Sequence, residues 1–170
     1  PDGKLDNGFG KKGIVLTTHN STIEINSVAL QSDNKIIIGG IYDGADREYM
    51  LFRYQVNGLI DSTFGINGLA RLAFKNNLAR YATLFDLAVQ PDGKIIAAGD
   101  NGDNNDNMVI ARFTANGTVD TAFGGSNGYT LPFFETGTSF TNTALVQEDG
   151  KILVAGTYYT TSEGFFTIMR

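Results

Sequence analysis

The chain has 170 residues, 42% of them hydrophobic, with 21 glycines, three prolines and no cysteine. That length suits roughly one domain with a sizeable core, and zero cysteine excludes disulfides and thiolate metal sites. A net charge of −5 without a basic run argues against a nucleic-acid reader, and no apolar stretch approaches the ~18 residues of a membrane span.

In chain order, Asp2-Gly3-Lys4-Leu5-Asp6-Asn7-Gly8-Phe9-Gly10 forms a tight turn followed by an Asp-x-x-Phe-Gly corner. Gly13 then precedes the apolar run Ile14-Val15-Leu16. Next comes Gln31-Ser32-Asp33-Asn34-Lys35-Ile36-Ile37-Ile38-Gly39-Gly40, which returns as Gln90-Pro91-Asp92-Gly93-Lys94-Ile95-Ile96-Ala97-Ala98-Gly99 and as Gln147-Glu148-Asp149-Gly150-Lys151-Ile152-Leu153-Val154-Ala155-Gly156. A period of roughly 57 residues marks a repeat architecture. A short alternating strand precedes each copy, around Val28 and Leu30, Leu87 and Val89, or Ala144 and Val146. Asp-Gly, or Asp-Asn in the first copy, predicts a hairpin through a type I′ turn, which needs φ > 0 at both central residues. The unbroken aliphatic run after it predicts a strand buried on both faces. Its closing small residues predict close backbone approach.

A third strand ending on Arg53, Arg112 or Arg170 follows in each copy. The corner then recurs as Asn57-Gly58-Leu59-Ile60-Asp61-Ser62-Thr63-Phe64-Gly65 and Asn116-Gly117-Thr118-Val119-Asp120-Thr121-Ala122-Phe123-Gly124. After Gly13, Gly68 and Gly128, the segments Ile14-Val15-Leu16, Leu69-Ala70-Arg71-Leu72 and Tyr129-Thr130-Leu131 predict a fourth strand. Four short strands per unit with fixed turn chemistry are the cue for a propeller blade. The expected fold is therefore all-β: a propeller-like array of four-stranded antiparallel blades, three repeats long, over residues 1–170. Pro1-Asp2-Gly3 is in phase with Val56-Asn57-Gly58, and Arg170 with Arg53, so the units read as 14–68, 69–128, and 129–170 completed by 1–13. Three blades fall short of the usual four to eight. With no starting Met, signal peptide or sorting tail, the chain reads as an internal or processed piece of a larger propeller; chains that associate to close a ring, or an open stack, are the alternatives.

The combined pattern Gln-Pro-Asp-Gly-Lys-Ile-x-x-x-Gly, an apolar strand ending in Arg, then Asn-Gly-x-x-Asp-x-x-Phe-Gly-x-x-Gly resembles the delta-60 repeat of secreted bacterial proteins. The resemblance covers essentially the whole chain. Ser32 and Glu148 stand in place of Pro, Asn34 in place of Gly, and Gly125 to Asn127 lengthen one corner. It implies an exported, extracellular or cell-surface, propeller-like protein and brings no catalytic residues with it.

Several residues could be read as chemistry. The Asp100 to Asn107 loop has oxygen ligands of the kind Ca²⁺ prefers, but its spacing differs from an EF-hand loop and the equivalent loops do not preserve it, so no metal or other cofactor is assigned. Asp6, Asp61 and Asp120 recur in step with Arg53, Arg112 and Arg170, which reads as a structural clasp of Arg to Asp or of Asp to backbone. Lys35, Lys94 and Lys151 read as architecture too. His19 is the single histidine and no Gly-x-Ser-x-Gly elbow accompanies it. Glu24, Asp86, Glu135 and Glu163 lie outside the repeated positions, and nothing pairs them as glycosidase chemistry requires. Aromatics outside the repeat are the binding candidates: Tyr158 and Tyr159 on a predicted tip, and Phe133 and Phe134 in the least repetitive stretch. The expectation is a non-catalytic secreted or surface module that scaffolds or binds a glycan or protein through its variable loops. A propeller enzyme acting on extracellular polysaccharide, and a purely structural spacer, are the competing readings.

Overall fold

The computed structural model describes residues 2–19, 21–44, 47–74, 82–102, 107–132, 134 and 137–170. Each copy of the Gln-x-Asp-(Gly/Asn)-Lys segment folds the chain back sharply. In the first, Asn34 N–H donates to Gln31 O at 2.9 Å, and Gln31 N–H donates to Lys35 O at 3.0 Å. Only the last turn residue is left-handed: Asn34 has φ 62°, Gly93 83° and Gly150 81°, whereas Asp33, Asp92 and Asp149 have no positive φ. The turns are therefore not the type I′ turns expected, but type I turns closed by one left-handed residue. The aspartates serve differently. Their carboxylates accept the backbone N–H of Lys35, Lys94 and Lys151, at 3.1–3.2 Å.

These turns join the strands of three antiparallel sheets. The first holds β1 (Thr22–Leu30), β2 (Ile36–Asp43), β3 (Arg47–Tyr54) and β4 (Leu69–Leu72) in that order. The second repeats the order with β5 (Thr83–Val89), β6 (Ile95–Asp100), β7 (Met108–Phe113) and β8 (Tyr129–Thr130). The third holds β9 (Thr138–Val146), β10 (Ile152–Tyr159) and β11 (Gly164–Met169), three strands among the described residues. The hydrogen-bonded units thus run 22–72, 83–130 and 138–169. Leu69–Leu72 closes the sheet behind it rather than opening the next, because the corner returns the chain onto β3: Arg53 N–H donates to Gly68 O at 3.1 Å, and Arg112 N–H to Gly128 O at 2.9 Å. Ile14-Val15-Leu16 departs from its expected strand. It belongs to no sheet, and Ile14 makes only an isolated bridge to Lys11.

The three sheets stack face to face, as propeller blades do, with the second in the middle. Its β6 explains the unbroken apolar run. Ile95 and Ala97 join the core shared with the first sheet, around Ile37, Leu51 and Phe64. Ile96 and Ala98 join the core shared with the third, around Ala144 and Val154. A strand with a neighbour on both faces has no polar side. Burying side chains as large as Tyr49, Phe64 and Phe113 completely contributes about 1.5–3 kcal/mol each.

The first strands of the sheets, β1, β5 and β9, lie closest to one another and form an inner rim. Each carries a bulge, at 25–27, at 84–86 and opposite Ala155–Gly156. At each bulge the strand leans on a glycine of the next: a Cβ built on Gly40, Gly99 or Gly156 would collide with the carbonyl oxygen of Glu24, Thr83 or Phe140. The closing small residues of each repeat are thus required by the bulged rim.

Candidate functional site

The repeated Arg and Asp build the most elaborate polar site. Near the end of β3, Arg53 donates Nε to Asp61 Oδ2 at 2.9 Å, Nη1 to Ala115 O at 2.8 Å and to Gln31 Oε1 at 3.2 Å, and Nη2 to Thr63 Oγ1 at 3.1 Å. Its guanidinium lies over Phe64, 4.7 Å from the ring centre, a cation–π arrangement. The same geometry recurs with Arg112, Asp120 at 2.8 Å and Phe123 at 4.6 Å. This accounts for the spacing of the corner: Asp binds the guanidinium edge and Phe, three residues on, covers its face. Ala115 belongs to the second unit, so Arg53 also ties one blade to the next. Gln31 adds to that tie by donating to Gly93 O and Ala115 O, and Gln90 donates to Gly150 O. Asp6 and Arg170 fill the corresponding positions but are not brought together. The Asp6 carboxylate accepts Gly8 N–H at 2.8 Å, while Arg170 lines an apolar groove with Phe123, Ile152 and Met169.

Hydrogen bonds from the Thr63 hydroxyl and amide, with the Arg53 charge beside them, hold the Asp61 carboxyl down from the ordinary 3.8 to about 2. Its ionised form is favoured by folding, so its contribution is complete above pH ~4 and lost as the pH falls toward ~2. That gap corresponds to about 2 kcal/mol. Denaturant melts between pH 5 and 2 should show this loss, and Asp61→Asn should flatten the slope across that window. A slope unchanged by Asp61→Asn would remove Asp61 from the acid response.

Asp86, whose irregular identity made it look unrepeated, in fact occupies the inner-rim position of Ser27 and Thr143. Its Oδ1 accepts Ser27 Oγ at 3.0 Å and Leu87 N at 2.9 Å; its Oδ2 accepts Thr143 Oγ1 at 2.8 Å and Ala144 N at 2.9 Å. One carboxylate therefore laces all three blades. The signal was available as three oxygen-bearing side chains at one repeat position. Asp100 does similar work in the loop considered for Ca²⁺: its Oδ1 accepts Thr141 N at 2.8 Å. Residues 103–106 of that loop lie outside the described residues, and among the described residues no group of three or more His, Cys, Asp or Glu could hold a metal ion. His19 packs edge-on against Tyr42 and Phe52.

The aromatic candidates converge at one end of the third sheet. Phe134 stacks on Tyr158 with centroids 4.7 Å apart, and Tyr158 lies parallel to Phe165 at 6.0 Å. Tyr159, on the opposite face of β10, is half exposed and meets Phe140 edge-on. Phe133 lies outside the described residues.

Stacked antiparallel sheets, two of four strands and one of three among the described residues, with an Arg, Asp and Phe set recurring in the first two and a glutamine tying each of these to the next, define a repeat protein of the β-propeller class. The chain belongs to the family described as "Domain of unknown function (DUF5122) beta-propeller", whose model matches residues 31–64, 90–123 and 147–170. The matched segments run from the Gln turn to the Phe corner, or to Arg170 in the third. No curated protein matches the chain.

Proposed function

We propose that this protein is a non-catalytic module of the cell exterior that binds an extended carbohydrate through the aromatic end of its third sheet. The observation that carries the proposal is the Phe134–Tyr158–Phe165 stack, with half-exposed Tyr159 on the opposite face of the same strand end. Flat rings with hydroxyl handles suit sugar faces. They lie beside the 160–163 loop, where the three repeats diverge, and divergent loops on a repeated scaffold are where specificity resides. These carboxylates are engaged otherwise: the recurring Asp61 and Asp120 with arginines, and Asp86 on both oxygens with the rim. The likeness to the delta-60 repeat supports an exported, bacterial cell-surface setting.

Titration calorimetry against a panel of soluble bacterial polysaccharides tests this. One member should bind the wild-type chain, and Tyr159→Ala should weaken it by roughly 3- to 10-fold, the worth of one aromatic contact, without altering the melting temperature. Binding to no polysaccharide, or equal binding by Tyr159→Ala, defeats the reading. Release of reducing ends by the wild-type protein would install a polysaccharide-degrading enzyme in its place.

A further inference from the structure

Two glycines make room for the tyrosine rings of the aromatic end. A Cβ built on Gly164 would lie 3.0 Å from the Tyr159 ring, and one on Gly137 would lie 3.1 Å from the Tyr158 ring. Each ring thus rests on bare backbone, in space that a side chain would otherwise take. Phe134 packs against the core that the second and third sheets share, which sets its stack with Tyr158 at that junction. The opening at Tyr159 belongs to the repeat as well. Its counterpart in the first sheet is Asp43, on the same face of β2 as Ile37 and Ile41, which the second blade covers. The Asp43 side chain is nonetheless 38% exposed.

The hairpin turn beside these rings is braced, and it carries a charge that nothing balances. Thr160 N–H donates to Glu163 O at 2.9 Å, and Thr160 Oγ1 accepts Ser162 N–H at 3.4 Å and Glu163 N–H at 3.1 Å. Glu163 is exposed and adjoins Gly164, which pairs with Tyr159 across the sheet. Among the described residues its carboxylate has no hydrogen bond and no ion pair. The turn carboxylates at the opposite end of the blades differ: Asp33, Asp92 and Asp149 each meet a lysine. The basic residues of the third unit, Lys151 and Arg170, stand at the far ends of β10 and β11 from the aromatic rings.

We infer that the carbohydrate taken by this end is basic, a chain of sugars that bear free amino groups. The inference rests on the carbohydrate reading above and adds the charge of the ligand. Aromatic faces are electron-rich and attract ammonium groups that lie over them. Glu163 supplies the counter-charge at the tip of the same hairpin, and hydrogen bonds between ionised partners are roughly twice as strong as neutral ones. An acidic polysaccharide would meet no cation among the described residues of this end. It would be repelled by Glu163 and by the net charge of −5. A neutral one would leave the carboxylate without a partner. An amino sugar carries its nitrogen directly on the ring, so a single unit presents an apolar face to tyrosine and a cation to Glu163.

Titration calorimetry of the wild-type chain at mildly acidic pH tests this with three probes: glucosamine oligosaccharides, their fully N-acetylated counterparts, and oligosaccharides of glucuronate. The free amines should bind more than roughly tenfold tighter than the N-acetylated probe, and more weakly as salt is added. The glucuronates should not bind. Glu163→Gln should narrow the preference for the amine by roughly 3- to 10-fold, with the circular dichroism and the affinity for the N-acetylated probe unchanged. Equal or tighter binding of the N-acetylated or acidic probe, or a full preference kept by Glu163→Gln, would overturn the inference. N-acetylated binding that matches the amine and that Tyr159→Ala weakens would do so while leaving the proposed function standing. Silence from all three probes sinks the inference too, and the wider polysaccharide panel then decides the proposed function by itself.

Discussion

Replacing Arg53 by alanine should cost about 3–5 kcal/mol of stability, the range for removing one partner of a buried ion pair. Arg53 and Asp61 are 4% and 3% exposed. Without the guanidinium, the Asp61 carboxylate stays buried with Thr63 and the partly exposed Lys35, 3.4 Å away, as its remaining partners. Gln31 Oε1 loses its donor, Ala115 O keeps only the longer bond from Gln31 Nε2 at 3.3 Å, and Phe64 loses the cation over its ring. Because Ala115 lies in the second unit, the loss strikes the junction between blades as well as the corner. Arg53→Lys should recover only a fraction, since an ammonium cannot reproduce a fork that reaches four acceptors. Arg112→Ala should cost less, its pair being more open to water. Chemical denaturation of the three variants checks the order. A loss under about 1 kcal/mol for Arg53→Ala would place the pair among the weak surface bridges.

Gly99→Ala should be the most damaging single-methyl change, costing about 3 kcal/mol, at the upper end for overpacking. A Cβ there meets the carbonyl oxygen of Thr83 and the hydroxyl of Tyr49, which is fully buried and donates to Asp100 O at 3.3 Å. Neither can yield cheaply. Thr83 is fixed in β5 at the bulge, and moving Tyr49 opens the core between the first two sheets. Gly40→Ala and Gly156→Ala face the same kind of collision with a carbonyl, but neither also meets the hydroxyl of a fully buried tyrosine. Melting temperatures of the three alanine variants should place Gly99→Ala lowest. A milder effect there than at Gly40 would mean the bulge shifts more easily than its packing suggests.

Strand identity was legible because the signals are local. Gln-x-Asp-Gly-Lys marks a reversal wherever it occurs, and an apolar run such as Ile95 to Ala98 can have no polar side. The clasp was legible through phase, since Arg53 with Asp61 and Arg112 with Asp120 keep the same separation. What escaped was non-local. Whether Leu69–Leu72 pairs backward or forward depends on the carbonyl of Gly68 reaching Arg53, which no short segment announces. The exact turn type escaped because Asp33, Asp92 and Asp149 use their side chains on the lysine amides, not a left-handed backbone. Asp86 was hidden by substitution, its rim role being shared with Ser27 and Thr143. The stacking of Phe134 on Tyr158 joins two segments that only the fold of the third sheet brings together.

The junction between the first and second blades is drawn almost stroke for stroke again between the second and third: the same glutamine reaching forward, the same pattern of bulge and glycine. Such a unit is compatible with itself on both sides. A whole repeat duplicated or deleted within the gene leaves every remaining junction already matched, so array length can drift through evolution without any new surface having to be invented. What restrains it is curvature, because only certain numbers of units bring the last blade round to the first.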